Sequence, residues 1–317
     1  MERQFHDWLR EHRSPPVDAA GSNRITNRCE VVTGIGDDGA VIDFAGQRLV
    51  ITTDAIAEGT HFVRPKSDQG LARVSVFERI GRKALAVSLS DIAAMGASPV
   101  AATLSFQCPK SLTIDDLKAL YNGANQLATE FGLRIVGGDT NTWNEGLVVS
   151  STVFGDRDRQ LNGWSLDGAK LGDAIFVSGA FGGSIHGRHF DFEPRLRLAG
   201  YLANGYQVNS ATDVSDSLTS DLMAIARASK VAMEIDLDAV PISDDVQASD
   251  AKSALEHALS DGEDFELIFT VAEEVAAQLE EVNDLPTSIT RIGRVQKGPA
   301  ALYDCKGQLV PISGYDH

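Results

Sequence analysis

Cysteine, positive charge and long apolar runs are all scarce in this chain. Cys29, Cys108 and Cys305 are isolated from one another and odd in number, which excludes a disulfide framework and fits a reduced cytoplasm. No segment approaches membrane-spanning length, and the opening residues Met1 to Trp8 lack the apolar run of a signal peptide. Lys and Arg number 28 against 45 Asp and Glu, a net charge of −17, so neither nucleic acid nor an anionic membrane is an expected partner. A soluble, cytoplasmic protein is expected. There is no phosphate-binding lysine loop, and no His–Asp or Ser–His pair stands out as a nucleophile with its base.

The 317 residues exceed the usual size of one core, so two domains are expected, 1–157 and 158–317, parting in the polar, turn-rich stretch after Arg157. Strands and helices mix in both halves, which predicts an α/β (α+β) fold. Apolar spacing predicts a long helix from about Leu71 to Met95, stopped by Gly96 and Pro99. Thr113 and Asp116 have the spacing of a capping box opening a helix towards Phe131. Ala40–Phe44, Val100–Gln107, Leu147–Phe154, Ala174–Ser178 and Phe265–Thr270 read as strands. A further helix is expected after Asp216 and another ending near His257.

What the chain has in plenty is aspartate beside glycine, serine or threonine: Gly36-Asp37-Asp38, Thr52-Thr53-Asp54, Ser90-Asp91, Gly137-Gly138-Asp139 and Asp213-Val214-Ser215-Asp216. Such residues favour turns and strand ends, and Asp54 and Asp139 are expected there. Gathered into one cleft, these carboxylates form a polyanionic site that needs cations. Mg²⁺, a hard ion with oxygen ligands, is the natural filling, and it commonly arrives with phosphates. Gly34-Ile35-Gly36-Asp37-Asp38-Gly39 matches the G-x-G-x-x-G dinucleotide pattern. That reading fails because the fingerprint must open a helix, whereas Ala40–Phe44 reads as a strand. Asp91 falls in an apolar helical stretch, where a carboxylate is costly to bury unless paired or metal-bound. Taken alone, Asp213, Asp216 and Asp221 read as helix N-terminal charges, and His61 either meets a phosphate or packs beside Phe62.

Taken in order, these motifs resemble the thiamine-monophosphate kinase family of the aminoimidazole-ribonucleotide-synthetase-like superfamily. The likeness is carried by Gly34-Ile35-Gly36-Asp37-Asp38, Thr52-Thr53-Asp54 with Glu58-Gly59 and His61-Phe62, and Lys83 to Ala97. It continues through Gly137-Gly138-Asp139-Thr140, Asp213-Val214-Ser215-Asp216, Gly262 to Leu267 and Gly314 to His317. The resemblance implies a two-domain fold whose N-terminal domain dimerises through its sheet, followed by an α+β C-terminal domain. It implies ATP-dependent phosphorylation of thiamine monophosphate to thiamine diphosphate by direct, magnesium-assisted, in-line transfer, with several Mg²⁺ ions and ATP as co-substrate. By the same likeness Asp38, Thr52, Thr53, Asp54, Asp91, Asp139, Asp213 and Asp216 hold metal. Asp38, Asp54, Asp91, Asp139 and Asp216 are the catalytic set. Gly138, Asp139 and Ser215 meet ATP, and His61 and Glu263 meet thiamine monophosphate.

Four positions depart from the family pattern. Ser217 stands for a glycine, Asp261 for the first glycine of a pair, Leu166 for an arginine thought to face ATP, and Ile312 for an aromatic residue near the substrate ring. Arg157 or Arg159 is the candidate substitute for that arginine, and no motif in the sequence marks either one. Two other readings use the same aspartates: an ATP- and Mg²⁺-dependent enzyme of this superfamily with a different substrate, or a non-catalytic nucleotide-binding protein.

Overall fold

A computed structural model of the protein describes residues 29–64, 73–247 and 252–314. The expected helix start at Leu71, the N-terminal Met1 to Arg28 and the terminal Tyr315-Asp316-His317 lie outside the described residues. Two six-stranded sheets follow one another along the chain.

The first comprises β1 (Cys29–Thr33), β2 (Ala40–Phe44), β3 (Gln47–Ala57), β4 (Ser98–Pro109), β5 (Arg134–Trp143) and β6 (Val148–Arg157), in the order β1-β2-β3-β6-β4-β5. Its neighbours are antiparallel except β4 and β5, which run parallel and so need the crossover that helix α2 (Ile114–Glu130) provides. The Thr113–Asp116 capping box is formed, and it opens α2. Helix α1 (Arg73–Ala94) lies between β3 and β4 in sequence and packs along α2. The two helices cross closely because each offers a glycine: a Cβ on Gly81 would stand 1.8 Å from the Leu120 carbonyl oxygen, and one on Gly123 1.8 Å from that of Glu78.

The second sheet comprises β7 (Ala174–Ser178), β8 (Val208–Asp213), β9 (Ala232–Ile235), β10 (Leu267–Val271), β11 (Ile289–Gln296) and β12 (Ala301–Asp304), in the order β12-β9-β11-β7-β10-β8. Central β7 is the strand read from the sequence, and all five of its residues are buried. Ala174 and Phe176 join a core shared with α1, while Ile175 and Val177 point into a second core with helix α5 (Leu218–Ser229). The shorter helices are α3 (Arg188–Asp191), α4 (Leu196–Gly205), α6 (Ala254–Ser260) and α7 (Glu273–Glu280). Helix α1 packs on α3, α4 and β8 as well as on the first sheet. It therefore lies where the two halves meet, and that position decides what its polar residues do.

Two expectations need correction. Asp54 is not at a strand end, since β3 runs on to Ala57 with Asp54 paired to Ser151. Nor do Gly137-Gly138-Asp139-Thr140 end a strand, because β5 continues through them to Trp143. In both places flanking threonines and cross-strand pairing outweigh the turn preference of Asp and Gly. Gly138 is required where it stands: φ is +156°, and a Cβ would lie 1.7 Å from the Leu104 carbonyl oxygen. Among the described residues no helix is long and apolar enough to cross a membrane.

Candidate active site

Four carboxylates converge beside α1, and each takes a hydrogen bond from a hydroxyl on another element. Thr52 of β3 donates to Asp91 of α1. In return, Ser88 of α1 donates to Asp54 of β3 at 2.7 Å. Ser90 of α1 donates to Asp213 at the end of β8, and Thr212 of β8 donates to Asp38 at 3.0 Å. The four bonds tie β3, α1, β8 and the turn before β2 into one frame, joining both halves of the chain.

The helix period explains the double use of α1. Ser88 and Asp91 are three residues apart, so both face β3. Ser90, a little over a quarter-turn away from Asp91, turns to β8 instead.

The frame is short of positive charge. Burial, with Asp213 and Asp37 beside it, pushes the Asp38 carboxyl well above the usual carboxylate range. Burial and the charges of Asp54, Asp213 and Asp38 push Asp91 the same way. Burial raises Asp54, and mainly burial takes Asp213 up to about 7. One buried oxygen of Asp38 has no hydrogen-bond partner. Carboxylates left together without counter-charge, one of them with an unused oxygen, fit divalent cations. Among the described residues no three Asp, Glu, His or Cys side chains close on one point as a single-ion cage. The chemistry that fits is therefore an ion held by one or two carboxylates and completed by water or phosphate, as is usual for Mg²⁺.

The remaining expected site residues are distributed unevenly. Asp216 and Ser215 follow β8 in a turn whose backbone is fixed by Asp221: its buried carboxylate accepts from the N–H groups of Asp216 and Ser217 at 3.2 Å each. Thr53, by contrast, faces the opposite side of the first sheet, bonded to Thr152 and the Ser151 carbonyl. Gly138 and Asp139 are exposed on edge strand β5, with β6 and β4 between them and Asp54, about 14 Å at the usual strand spacing. Asp139 accepts from Asn141 at 2.6 Å. Within one chain these three residues do not join the buried frame.

His61 and Glu263 meet elsewhere, around a residue that the sequence reading did not single out for chemistry. The Lys83 ammonium, fully buried, donates to the His61 carbonyl at 2.8 Å and to both Glu263 oxygens at 2.8 and 2.9 Å, and lies 2.8 Å from His189 Nδ1. Burial lowers the lysine pKa against the opposing pull of Glu263. Burial acts to raise Glu263, but His189 and Lys83 outweigh it and hold that carboxyl below its ordinary range. Ser88, Ser90 and Thr212 were likewise missed. Ser90 and Thr212 adjoin the singled-out Asp91 and Asp213, and that adjacency was the available signal, whereas Ser88 lies three residues before Asp91 and had only helical spacing to mark it.

The departures from the family pattern have local explanations. Ser217 has φ 176°, extended backbone open to any residue, and its hydroxyl caps α5 by accepting from Ser220 N–H. Asp261 is held by the Gly183 N–H at 2.9 Å, by His257 and by Lys252. Leu166 is core, and its backbone N–H donates to Asp37 at 3.4 Å. Of the two arginines near it, Arg159 pairs with Asp43 at 2.6 Å. Arg157 is buried, donates to the Gly163 carbonyl, and keeps an unpartnered Nε. Ile312 is 39% exposed.

The family descriptions AIR synthase related protein, N-terminal domain, and AIR synthase related protein, C-terminal domain, match residues 36–156 and 168–304 respectively. A thiamine-monophosphate kinase of Rhodopirellula baltica is 41% identical over 306 residues, covering 93% of this chain and 89% of the relative. The chain belongs to the thiamine-monophosphate kinase family of AIR synthase related proteins. A second family member, from Bacillus subtilis, is 34% identical over 323 residues, covering 93% of this chain and 96% of its own. The solved structure of AaThiL complexed with AMPPCP and TMP superposes with a TM-score of 0.77 at 28% identity, over 89% of this chain and 91% of that one. The family's two-domain fold is the one seen here, with one six-stranded sheet in each domain.

Proposed function

We propose that this protein transfers the γ-phosphoryl group of ATP to the phosphate of thiamine monophosphate, forming thiamine diphosphate and ADP. The observation that carries this reading is the hydroxyl-tethered carboxylate frame at the domain junction, in a chain 41% identical to a thiamine-monophosphate kinase over nearly its whole length. A bond forms between an oxygen of the acceptor phosphate and the γ-phosphorus, and the γ-phosphorus–oxygen bond to the β-phosphate breaks. The acceptor is a phosphate monoester with a second pKa near 6, largely ionised at neutral pH, so no strong general base is needed. The absence of an evident nucleophile–base pair is consistent with that.

What must be overcome is repulsion between two anions. Asp38, Thr52, Asp54, Asp91, Asp213 and Asp216 would hold Mg²⁺ at the buried frame, whereas Thr53 and Asp139, kept apart from it within one chain, would serve metal in the site of a second copy met across the first sheet. When bound, the metal supplies positive charge to phosphates brought into line and neutralises charge spreading over the transferred group. The chain's own contribution is rigidity, since Ser88, Ser90, Thr52 and Thr212 fix the carboxylates before any ligand arrives. Gly138, Asp139 and Ser215 serve ATP, and His61 and Glu263 serve thiamine monophosphate.

The same proposal includes a cytoplasmic homodimer joined through the first sheet, with residues 1–157 as the ATP, Mg²⁺ and dimerisation domain and 158–317 as the second. Exposed Val31, Val32, Val136 and Trp143 on β1 and β5 support it, because a strand edge with apolar side chains in water favours a partner. A product assay tests the activity. Purified protein with ATP, Mg²⁺ and thiamine monophosphate should yield thiamine diphosphate by chromatography, and chelating the metal should stop it. ATP binding without product would reject this acceptor.

A further inference from the structure

Lys83 and Ser90 are seven residues apart on α1, which places them on nearly the same helix face, about 10 Å apart along its axis. Both cross to the second domain. Ser90 reaches Asp213 in the carboxylate frame, and Lys83 reaches Glu263. The two contacts belong to one closed circuit. The Glu263 N–H donates to the Ser215 carbonyl at 2.8 Å, and the Phe265 N–H donates to the Val214 carbonyl at 2.8 Å, so the Glu263 turn is tied by its backbone to the Asp213–Asp216 turn and by its side chain to α1.

The ammonium has three protons, and it meets the His61 carbonyl, His189 Nδ1 and the Glu263 carboxylate. His189 Nδ1 stands within reach of both the ammonium and, at 3.4 Å, the Glu263 carboxylate. The Phe190 ring lies 5.6 Å from the nitrogen and closes another side. Lys83 is wholly buried, whereas the Glu263 side chain keeps 21% of its surface open. The lysine itself is therefore closed to a ligand, and the carboxylate it aims is not. Glu263 also holds a left-handed backbone, φ +51°, a conformation that a non-glycine residue keeps only when its surroundings enforce it.

We propose that Lys83 is a positioning residue for the acceptor end of the site: through Glu263 and the His61 carbonyl it sets where thiamine monophosphate sits relative to the carboxylates carried by the same helix. This rests on the functional reading above. A lysine that merely pinned two domains together would, when removed, lower stability and weaken both substrates alike. A positioning lysine separates the two substrates, because the ATP and metal carboxylates are held by hydroxyls that do not involve it.

The test uses full-length Lys83→Met, Glu263→Gln and the double variant Lys83→Met/Glu263→Gln, which leaves no unpaired carboxylate behind and so guards against misfolding of the first. Thermal melting, KM and kcat for each substrate, and calorimetric titration with thiamine monophosphate are measured on all three and on wild type. Lys83→Met should raise KM for thiamine monophosphate about tenfold or more and lower kcat, with KM for MgATP held within about twofold. The double variant should be no worse than the more damaging single one, since both act through one contact. Unchanged KM for thiamine monophosphate in a normally melting Lys83→Met protein would overturn the assignment. A parallel rise in both KM values that follows the fall in melting temperature would also overturn it, leaving a structural pin. Wild type that neither binds nor phosphorylates thiamine monophosphate would instead remove the functional reading itself.

Discussion

The Ser90 hydroxyl, carried by the long helix of the first domain, donates to the Asp213 carboxylate at the end of a strand in the second. Both residues are buried, and their bond holds one wall of the carboxylate frame to the other. Ser90→Ala leaves a buried carboxylate without its donor. It should cost about 1–2 kcal/mol of stability and lower kcat/KM for MgATP about tenfold or more. Urea melts and steady-state kinetics check the two effects, and a silent variant would mean that the domains are held at this point by other contacts.

Asp54→Asn should remove activity without harming the fold. An asparagine oxygen still accepts from Ser88, and one of several mutually repelling carboxylates is gone. In metal-free buffer the variant should melt no lower than wild type. Wild type should gain stability on adding Mg²⁺ in proportion to occupancy, and the variant should gain much less. Equal stabilisation by Mg²⁺ in both proteins would take Asp54 out of the metal site.

Much of this architecture was legible in the sequence. The bounds of β2 and β7, the long helix and the Thr113–Asp116 box follow from apolar spacing and capping chemistry, which are local. The order of the aspartate motifs was enough to indicate the family. The partners of those aspartates were not legible. Ser88, Ser90 and Thr212 are ordinary polar residues until tertiary packing places a carboxylate opposite each. Lys83 reads as one charge on a helix, and its burial depends on residues 61, 189 and 263, which come together only in the folded chain. The turn readings of Asp54 and Gly138-Asp139 failed for a related reason. Strand pairing spread over nine or ten residues outweighs a local preference of one or two.

Asp139 bears on assembly. It lies on the exposed edge strand of the first sheet, apart from Asp54 and its hydroxyl partner. If it acts in the site of a second copy, Asp54→Asn and Asp139→Asn proteins, each inactive alone, should complement when mixed and allowed to exchange subunits. One site in each mixed dimer then carries neither substitution, so about a quarter of wild-type activity should return. Exchange confirmed by mass, with no activity regained, would place Asp139 in its own chain's site or outside the mechanism.

Stability at low pH should depend on Asp116. Its carboxylate accepts two bonds from Arg73, at 2.6 and 2.7 Å, and caps α2 from within. The Arg73 guanidinium and the Thr113 backbone hold it well below the usual carboxylate range despite its burial. A depressed folded-state pKa gives stability that is present above the ordinary value near 3.9 and shed as the pH falls below it. Arg73 is more than half exposed, so water screens the pair and Arg73→Met should cost only about 1 kcal/mol at neutral pH. That difference from wild type should stay constant from about pH 8 to 5 and shrink below about pH 4. A difference that grew on acidification would mean that the carboxylate is not stabilised in its charged form.

Ile312 offers a test of how the substrate ring is held. The segment around it is docked on the N-terminus of α5, where the Ser313 carbonyl accepts from the Ser217 and Thr219 hydroxyls at 2.5 and 2.9 Å. This anchors the chain beside the Asp216 turn while leaving the Ile312 side chain partly in solvent. An isoleucine there presents apolar surface but no π face, and the thiazolium ring of the substrate carries positive charge. Placing an indole at this point by Ile312→Trp adds a cation–π contact of about 1 kcal/mol, so KM for thiamine monophosphate should fall roughly fivefold. KM for MgATP should not move, because the carboxylate frame and its hydroxyl tethers are untouched. An unchanged KM for thiamine monophosphate in a protein with normal melting would place the thiazolium ring away from this segment, and the search for its contacts would move to the Glu263 turn and the loop that carries His61.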